Sequence, residues 1–281
     1  MIEQKQFLDR IIRLALEEDL GSGDLTTRAV VDPGLSGRAS LIAREGLILA
    51  GLFVFKRVFT EVDPDIVFED FFKDGEFVPK GRQICLVSGL LQHMLTAERT
   101  ALNFLQRMSG IATLTSRYVE KLGASKARVV DTRKTAPGLR LLDKYAVTKG
   151  GGYNHRFGLF DGVLIKDNHI AAVGSIEEAV KLARKNSSHT IKIEVEVEDL
   201  AGVAAALEAG ADTILLDNMS PKQLREAVNL VNGRTLVEAS GGITLETIEE
   251  IGKTGVDLIS VGALTHSAKA ADLSLEIAQG N

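Results

Sequence analysis

The chain is poor in the residues that staple small folds and hold metals. Its 281 residues include one cysteine, Cys85, so no internal disulfide can form. There is no CxxC or HExxH spacing either, which argues against a structural zinc site or a dithiol redox centre. No apolar run approaches the roughly 20 residues a membrane-spanning helix needs. The opening IEQKQFLDRII lacks the pattern of a secretory signal, so a cytoplasmic location without membrane contact is expected. Basic residues do not dominate: 33 Lys and Arg against 38 Asp and Glu leave a net charge of −5, which disfavours nucleic acid as the main partner. With 45% hydrophobic and 25% charged residues, the composition is that of a soluble globular protein of one large or two moderate domains.

Against this acidic background one segment stands out. Residues 131–169, DTRKTAPGLRLLDKYAVTKGGGYNHRFGLFDGVLIKDNH, hold seven Lys/Arg and four Asp, a local charge of +3 that leaves −8 for the rest. Cations gathered between Gly-rich turns suggest a pocket for a substrate with several negative charges.

The chain changes texture near residue 108. Before it, an amphipathic helix carries Phe7, Leu8, Ile11, Ile12, Leu14 and Ala15 at helical spacing and ends near Gly21-Ser22-Gly23-Asp24. Short β-like pieces follow, among them 38–43 and 83–87, with Pro33, Pro64 and Pro79 in the turns. From about Leu90 the pattern is helical again and carries Arg99. This reads as an α+β domain over 1–108. Beyond it, apolar runs at 129–130, 162–165, 191–197, 213–216, 236–237 and 258–261 alternate with helices. Two of those helices have start signals that read as capping boxes, Ser175 to Glu178 and Ser220 to Gln223. Parallel βαβ units are implied, and six strands suggest an incomplete TIM-like α/β barrel over 109–281.

Each apolar run finishes on polar or small residues: Asp131-Thr132-Arg133-Lys134, Lys166-Asp167, Glu196, Asp217-Asn218, Ser240-Gly241-Gly242 and Gly262. In a parallel barrel all strand C-termini meet at one face, so these residues converge on one cavity. Ser240 to Gly242 and Val261 to Ala263 offer backbone N–H groups beside expected helix starts, a pattern suited to phosphate.

These residues also carry a resemblance. EDLGSGDLTT at 18–27, AERTALNFLQRMSGIAT at 97–113, DTRKTAPGLR at 131–140, KYAVTKGGGYNHR at 144–156, LIKDNHI at 164–170, EVEVE at 194–198, ILLDNM at 214–219, EASGGI at 238–243 and SVGALTHS at 260–267 are similar to the quinolinate phosphoribosyltransferase family along nearly the whole chain. The resemblance implies that quinolinate and phosphoribosyl pyrophosphate give nicotinate mononucleotide, CO2 and pyrophosphate with Mg²⁺, a step in NAD biosynthesis. It implies a homodimer in which Arg99 reaches the neighbouring subunit's site. Arg99, Arg133 and Arg156 suit the two quinolinate carboxylates, with Thr132, Lys134 and His155 nearby. Lys134 and Lys166 suit the departing pyrophosphate, and Glu196 and Asp217 suit the cation-like ribose, its hydroxyls or Mg²⁺-bound water. Glu196 is chosen over Glu194 and Glu198 because it lies 21 residues before Asp217, as in the family motif. His155 is expected either to bind substrate as a neutral ligand or to protonate the ring.

Other readings stay open. Another phosphate-handling barrel would need the late-strand loops but not the basic block before them. A non-enzymatic binder of a phosphorylated metabolite would have no use for the opposed acids. His93, His189 and His266 read as structural or surface residues, and His169 reads as support for Lys166 or as core packing.

Overall fold

The structure, a computed structural model, describes residues 2–277. The elements run α1 (Ile2–Leu20), α2 (Leu25–Val30), β1 (Ser36–Ala43), β2 (Leu47–Ile48), α3 (Leu52–Val62), β3 (Val67–Asp70), β4 (Phe77–Val78), β5 (Gln83–Leu90) and α4 (Leu91–Leu122). They continue with β6 (Arg128–Val130), α5 (Arg140–Lys149), β7 (Val163–Ile165), α6 (Asp167–Val173), α7 (Ile176–Asn186), β8 (Ile193–Val197), α8 (Leu200–Glu208) and β9 (Thr213–Asp217). The last are α9 (Pro221–Val231), β10 (Leu236–Ser240), α10 (Ile248–Gly252), β11 (Leu258–Ser260), α11 (Ala263–His266) and β12 (Leu273–Ile277).

The first unit comprises residues 2–114, 141–150 and 268–277. Its antiparallel sheet has the order β12-β1-β5-β3. Alternation along β1 buries Ala39, Leu41 and Ala43 while their neighbours face outward, the period-two signature of a sheet with one face in the core. Helix α3 buries Leu52, Val54, Phe55, Val58 and Phe59. Its first amides, Gly51 and Leu52, donate to the Asp74 carboxylate at 2.9 and 3.0 Å. Cys85 is fully buried, and burial pushes its thiol up to about 12, which leaves it inert at neutral pH.

The sequence boundary at 108 falls inside α4, and the units divide at 114/115. Gly110 does not break that helix. A Cβ there would sit 2.1 Å from the Lys269 carbonyl oxygen, so the glycine admits the returning C-terminal segment. That segment then adds β12 to β1, so the tail expected to belong to the barrel completes the first sheet instead. Residues 278–281, assigned to the barrel from sequence, lie outside the described residues.

The second unit comprises residues 115–140 and 151–267. It is a six-stranded parallel sheet in the order β6-β11-β10-β9-β8-β7, with helices between the strands. Its outer strands β6 and β7 are not paired with each other, so the barrel is incomplete, and an isolated bridge joins Val130 at the end of β6 to Tyr153. Strand β8 is buried at four of five positions, as expected where helices cover the outside of a parallel sheet. Ser220 and Gln223 form the reciprocal capping box at α9. At α7 only half of the expected box forms: Ser175 Oγ accepts the Glu178 N–H, while the Glu178 carboxylate turns outward to Lys181. Among the described residues no helix is long and apolar enough to cross a membrane.

Candidate active site

A cavity of about 590 Å³ opens at the C-terminal ends of the six parallel strands. Thr132, Arg133 and Lys134 enter it after β6, Lys166 after β7, Glu196 from β8, Asp217 and Asn218 from the end of β9, Ser240 to Thr244 from β10 onward, and Ser260 to Ala263 from β11 onward. His155 and Arg156 come from the stretch before β7. Every site residue expected from the sequence therefore lines one cavity, except Arg99, which is exposed on α4 in the first unit.

Charge is arranged in opposed groups. Lys166 Nζ donates to the Glu196 carboxylate, so each compensates the other's charge. Asp217 accepts from the Asn218 side-chain amide at 2.8 Å, which leaves a carboxylate oxygen to face a ligand. Arg156 donates to the Gly162 carbonyl at 3.0 Å, which orients its guanidinium. Burial lowers its pKa, and the nearby Arg133 adds to that shift. Two guanidiniums this close repel each other, so a doubly anionic ligand between them is favoured. Lys134 is held by its backbone: its N–H donates to Thr132 Oγ1 at 3.0 Å, and its carbonyl accepts from Thr265 Oγ1 at 2.8 Å.

The basic segment 131–169 divides in two. Arg133, Lys134, Arg156 and Lys166 line the cavity. Arg140 instead pins its own loop by donating to Thr135 Oγ1 and the Phe157 carbonyl, while Lys144 is buried and Lys149 lies 5.0 Å from the Tyr145 ring centre. The intervening residues form α5, which carries Lys144 and Lys149 into the first unit.

His155 meets two buried acids, Glu194 and Glu238, that were not expected in the site. His155 Nδ1 accepts the Arg156 backbone N–H at 2.7 Å, so its proton belongs on Nε2, which meets Glu194 Oε2 at 2.9 Å and Glu238 Oε1 at 3.7 Å. Both ring nitrogens thus meet protein groups, and the residue also lines the cavity. Glu238 is 1% exposed, and burial pushes its carboxyl up to about 8, with Glu194 adding to the shift. Alternation could have found it, since Glu238 shares a strand face with Ser240, as Glu194 does with Glu196. Because folded Glu238 binds its proton more tightly than unfolded Glu238, its contribution to stability is complete below the ordinary glutamate range and is lost as pH rises through 8. Melting temperatures of wild type and Glu238→Gln at pH 6 and pH 9 check this: the variant should gain on the wild type at pH 9.

His266 is exposed, in keeping with the surface reading, and it also lines the cavity beside Gly262. His169 Nδ1 accepts the Lys166 N–H at 2.9 Å and so supports Lys166 through the backbone. His189 is exposed, and His93 pairs with Asp63 at 2.7 Å in the first unit.

Of the two glycine-bearing turns only the second meets its expected helix start: α11 begins at Ala263, although it is one turn long, whereas α10 begins only at Ile248, well past Gly242. Backbone amides rather than a helix dipole are therefore what these turns offer an anion. Gly241 has φ +92°, and a Cβ there would lie 2.2 Å from Asn218 Oδ1 and 2.9 Å from the Asn218 backbone nitrogen. Gly241→Ala should therefore cost about 1–3 kcal/mol of stability and displace the turn. A lowered Tm together with a raised KM for the phosphorylated substrate is the expected result.

The described family "Quinolinate phosphoribosyl transferase, N-terminal domain" matches residues 24–109, and its C-terminal domain matches 111–276. The chain is 44% identical over 274 residues to a probable nicotinate-nucleotide pyrophosphorylase [carboxylating] of Bacillus subtilis (strain 168), covering 98% of this chain and 94% of that one. It is 46% identical over 289 residues to a chloroplastic nicotinate-nucleotide pyrophosphorylase [carboxylating] of Arabidopsis thaliana, covering 96% and 82%. Among solved structures it is similar to NadC from Streptococcus pyogenes, with a TM-score of 0.93, 46% identity and 97% of each chain covered. Against the nicotinate-nucleotide pyrophosphorylase of Francisella tularensis the TM-score is 0.94 at 42% identity, with 97% and 96% covered.

Proposed function

The chain belongs to the quinolinate phosphoribosyltransferase family, and from that premise we propose how its own residues divide the work of the reaction. The protein is a carboxylating nicotinate-nucleotide pyrophosphorylase: it joins quinolinate to the ribosyl group of phosphoribosyl pyrophosphate and releases CO2 and pyrophosphate, a step in NAD biosynthesis. The observation that carries the division of labour is the meeting of Arg133, Lys134, Arg156 and Lys166 with Glu196 and Asp217 in one cavity.

Arg133 and Arg156 grip the adjacent carboxylates of quinolinate, because a planar guanidinium matches a carboxylate through two parallel hydrogen bonds. The turns at Ser240 to Gly242 and Val261 to Ala263 hold the 5′-phosphate through backbone amides. Pyrophosphate competes for Lys166 and, by drawing it from Glu196, frees that carboxylate to face the ribose as positive charge develops there. Asp217 takes the same part from the adjacent strand. The oxygen donors of Glu196 and Asp217 suit the water shell of a Mg²⁺ ion carried by the pyrophosphate, where the ion would neutralise charge on the leaving group. Once the ring nitrogen bears the ribose, the pyridinium accepts the electron pair that CO2 leaves behind.

Arg99 is exposed on α4, and we assign it to the site of a second copy in a homodimer, where it adds a third cation for the diacid. The test is to incubate the protein with phosphoribosyl pyrophosphate, Mg²⁺ and either quinolinate or nicotinic acid. Nicotinate mononucleotide with equimolar CO2 from quinolinate, and negligible product from nicotinic acid, is the expected outcome; preference for nicotinic acid contradicts the assignment.

A further inference from the structure

Among the described residues only two that are not glycine have φ in the left-handed region, Asn218 at +54° and Asn232 at +47°. Asn232 caps the C-terminus of α9, an ordinary place for such a residue. Asn218 has no helix to end: it follows the last residue of β9 and lines the cavity. Glycine would make the same reversal without strain, so an asparagine there points to a role for its side chain. That side chain is wedged between two parts of the site. Its amide donates to the Asp217 carboxylate at 2.8 Å, and its Oδ1 stands where a Cβ on Gly241 would be. The backbone is tied to the same turn, since the Asn218 N–H donates to the Ser240 carbonyl at 2.9 Å. That bond continues the strand ladder one residue past the pairing of Asp217 with Ser240.

We propose that Asn218 is a positioning residue: it holds the Asp217 carboxylate at a fixed reach from the turn at Ser240 to Gly242. This rests on the reaction described above and adds a residue to it. The two parts it joins serve one substrate moiety, because the 5′-phosphate hangs from the ribose by a short, stiff link. When the turn holds that phosphate, the ribose carbon that loses pyrophosphate lies a set distance away, and the carboxylate must already face it as charge develops. An unheld carboxylate would rotate about its side-chain bonds. The amide donor removes that freedom through one oxygen and leaves the other for the sugar. Being neutral, the amide does this without the charge by which a cation in its place would compete with the ribose for Asp217.

The test uses Asn218→Gly, which takes the same backbone without the side chain, and Asn218→Asp, which keeps the shape and tolerates the backbone but offers no donor. Asn218 is exposed, so neither change empties the core, and Tm should stay close to wild type. In both, kcat should fall roughly 10- to 10²-fold with quinolinate KM within about threefold of wild type, because the defect is a misplaced carboxylate and not a lost contact to the diacid. Asp217→Ala supplies a readout that a merely structural role would not move. Over a single turnover in that background, adding Asn218→Gly should slow the reaction less than about threefold further, since a residue that acts through another has nothing left to position. A kcat within about threefold of wild type in Asn218→Gly overturns the proposal, and so does a wild-type rate in Asn218→Asp, which would make packing alone sufficient. A loss confined to quinolinate KM, or a full multiplicative loss in the double variant, overturns it too. Should one of the two variants not fold, the other decides by the same limits. Absence of product from the wild type contradicts the reaction itself, whereas a normal rate in Asn218→Gly contradicts only this assignment.

Discussion

Arg133→Ala should raise the KM for quinolinate by roughly 10²- to 10³-fold while leaving the fold intact. The estimate follows from leaving a substrate carboxylate unpaired in a partly desolvated site, which costs about 2–5 kcal/mol. Arg133 is exposed after β6, makes no core contact that its loss would empty, and lies close enough to Arg156 to lower that residue's pKa. Two effects therefore oppose each other: the variant loses a grip on the diacid but relieves repulsion on Arg156. The first dominates, because the carboxylate contact adds two charge-assisted hydrogen bonds to its Coulomb attraction, whereas the repulsion between the guanidiniums is Coulombic alone. Steady-state kinetics and an unchanged Tm check both halves. Normal quinolinate KM in this variant contradicts the assignment of the diacid site.

Glu196→Gln should act on the other parameter, lowering kcat by about 10²- to 10³-fold with quinolinate KM changed only a few-fold. An amide keeps the size of the side chain but cannot oppose charge developing on the ribose, the kind of stabilisation worth about 3–4 kcal/mol when removed. The neutral side chain also releases Lys166 from its ion pair, so binding of the phosphorylated substrate should hold or tighten. A rise in KM without a fall in kcat would place Glu196 in binding rather than in the chemical step.

Much of the site could be read from the chain because the barrel orders it. Short Val/Ile-rich runs ending on Arg133, Lys166, Glu196, Asp217 and Ser240 specify parallel strands whose C-termini must meet, and they do. What escaped depends on contacts without a local signal. The return of β12 to β1 joins residues more than 200 positions apart, and nothing in LSLEI distinguishes a strand of the first sheet from one of the barrel. Net charge over residues 131–169 overstated the anion site, since helical periodicity within α5 sends Lys144 and Lys149 elsewhere. The pairing of His155 with Glu194 and Glu238 brings three separate segments together, and only coordinates could show that both imidazole nitrogens are already engaged.

The division of labour between cations and carboxylates is tested most directly by titrating quinolinate into Glu196→Gln in the presence of phosphoribosyl pyrophosphate and Mg²⁺, where turnover is too slow to consume the complex. One quinolinate should bind per chain, and adding Arg133→Ala to the same protein should abolish the binding heat. Failure of the single variant to bind, or undiminished binding in the double variant, would contradict the account.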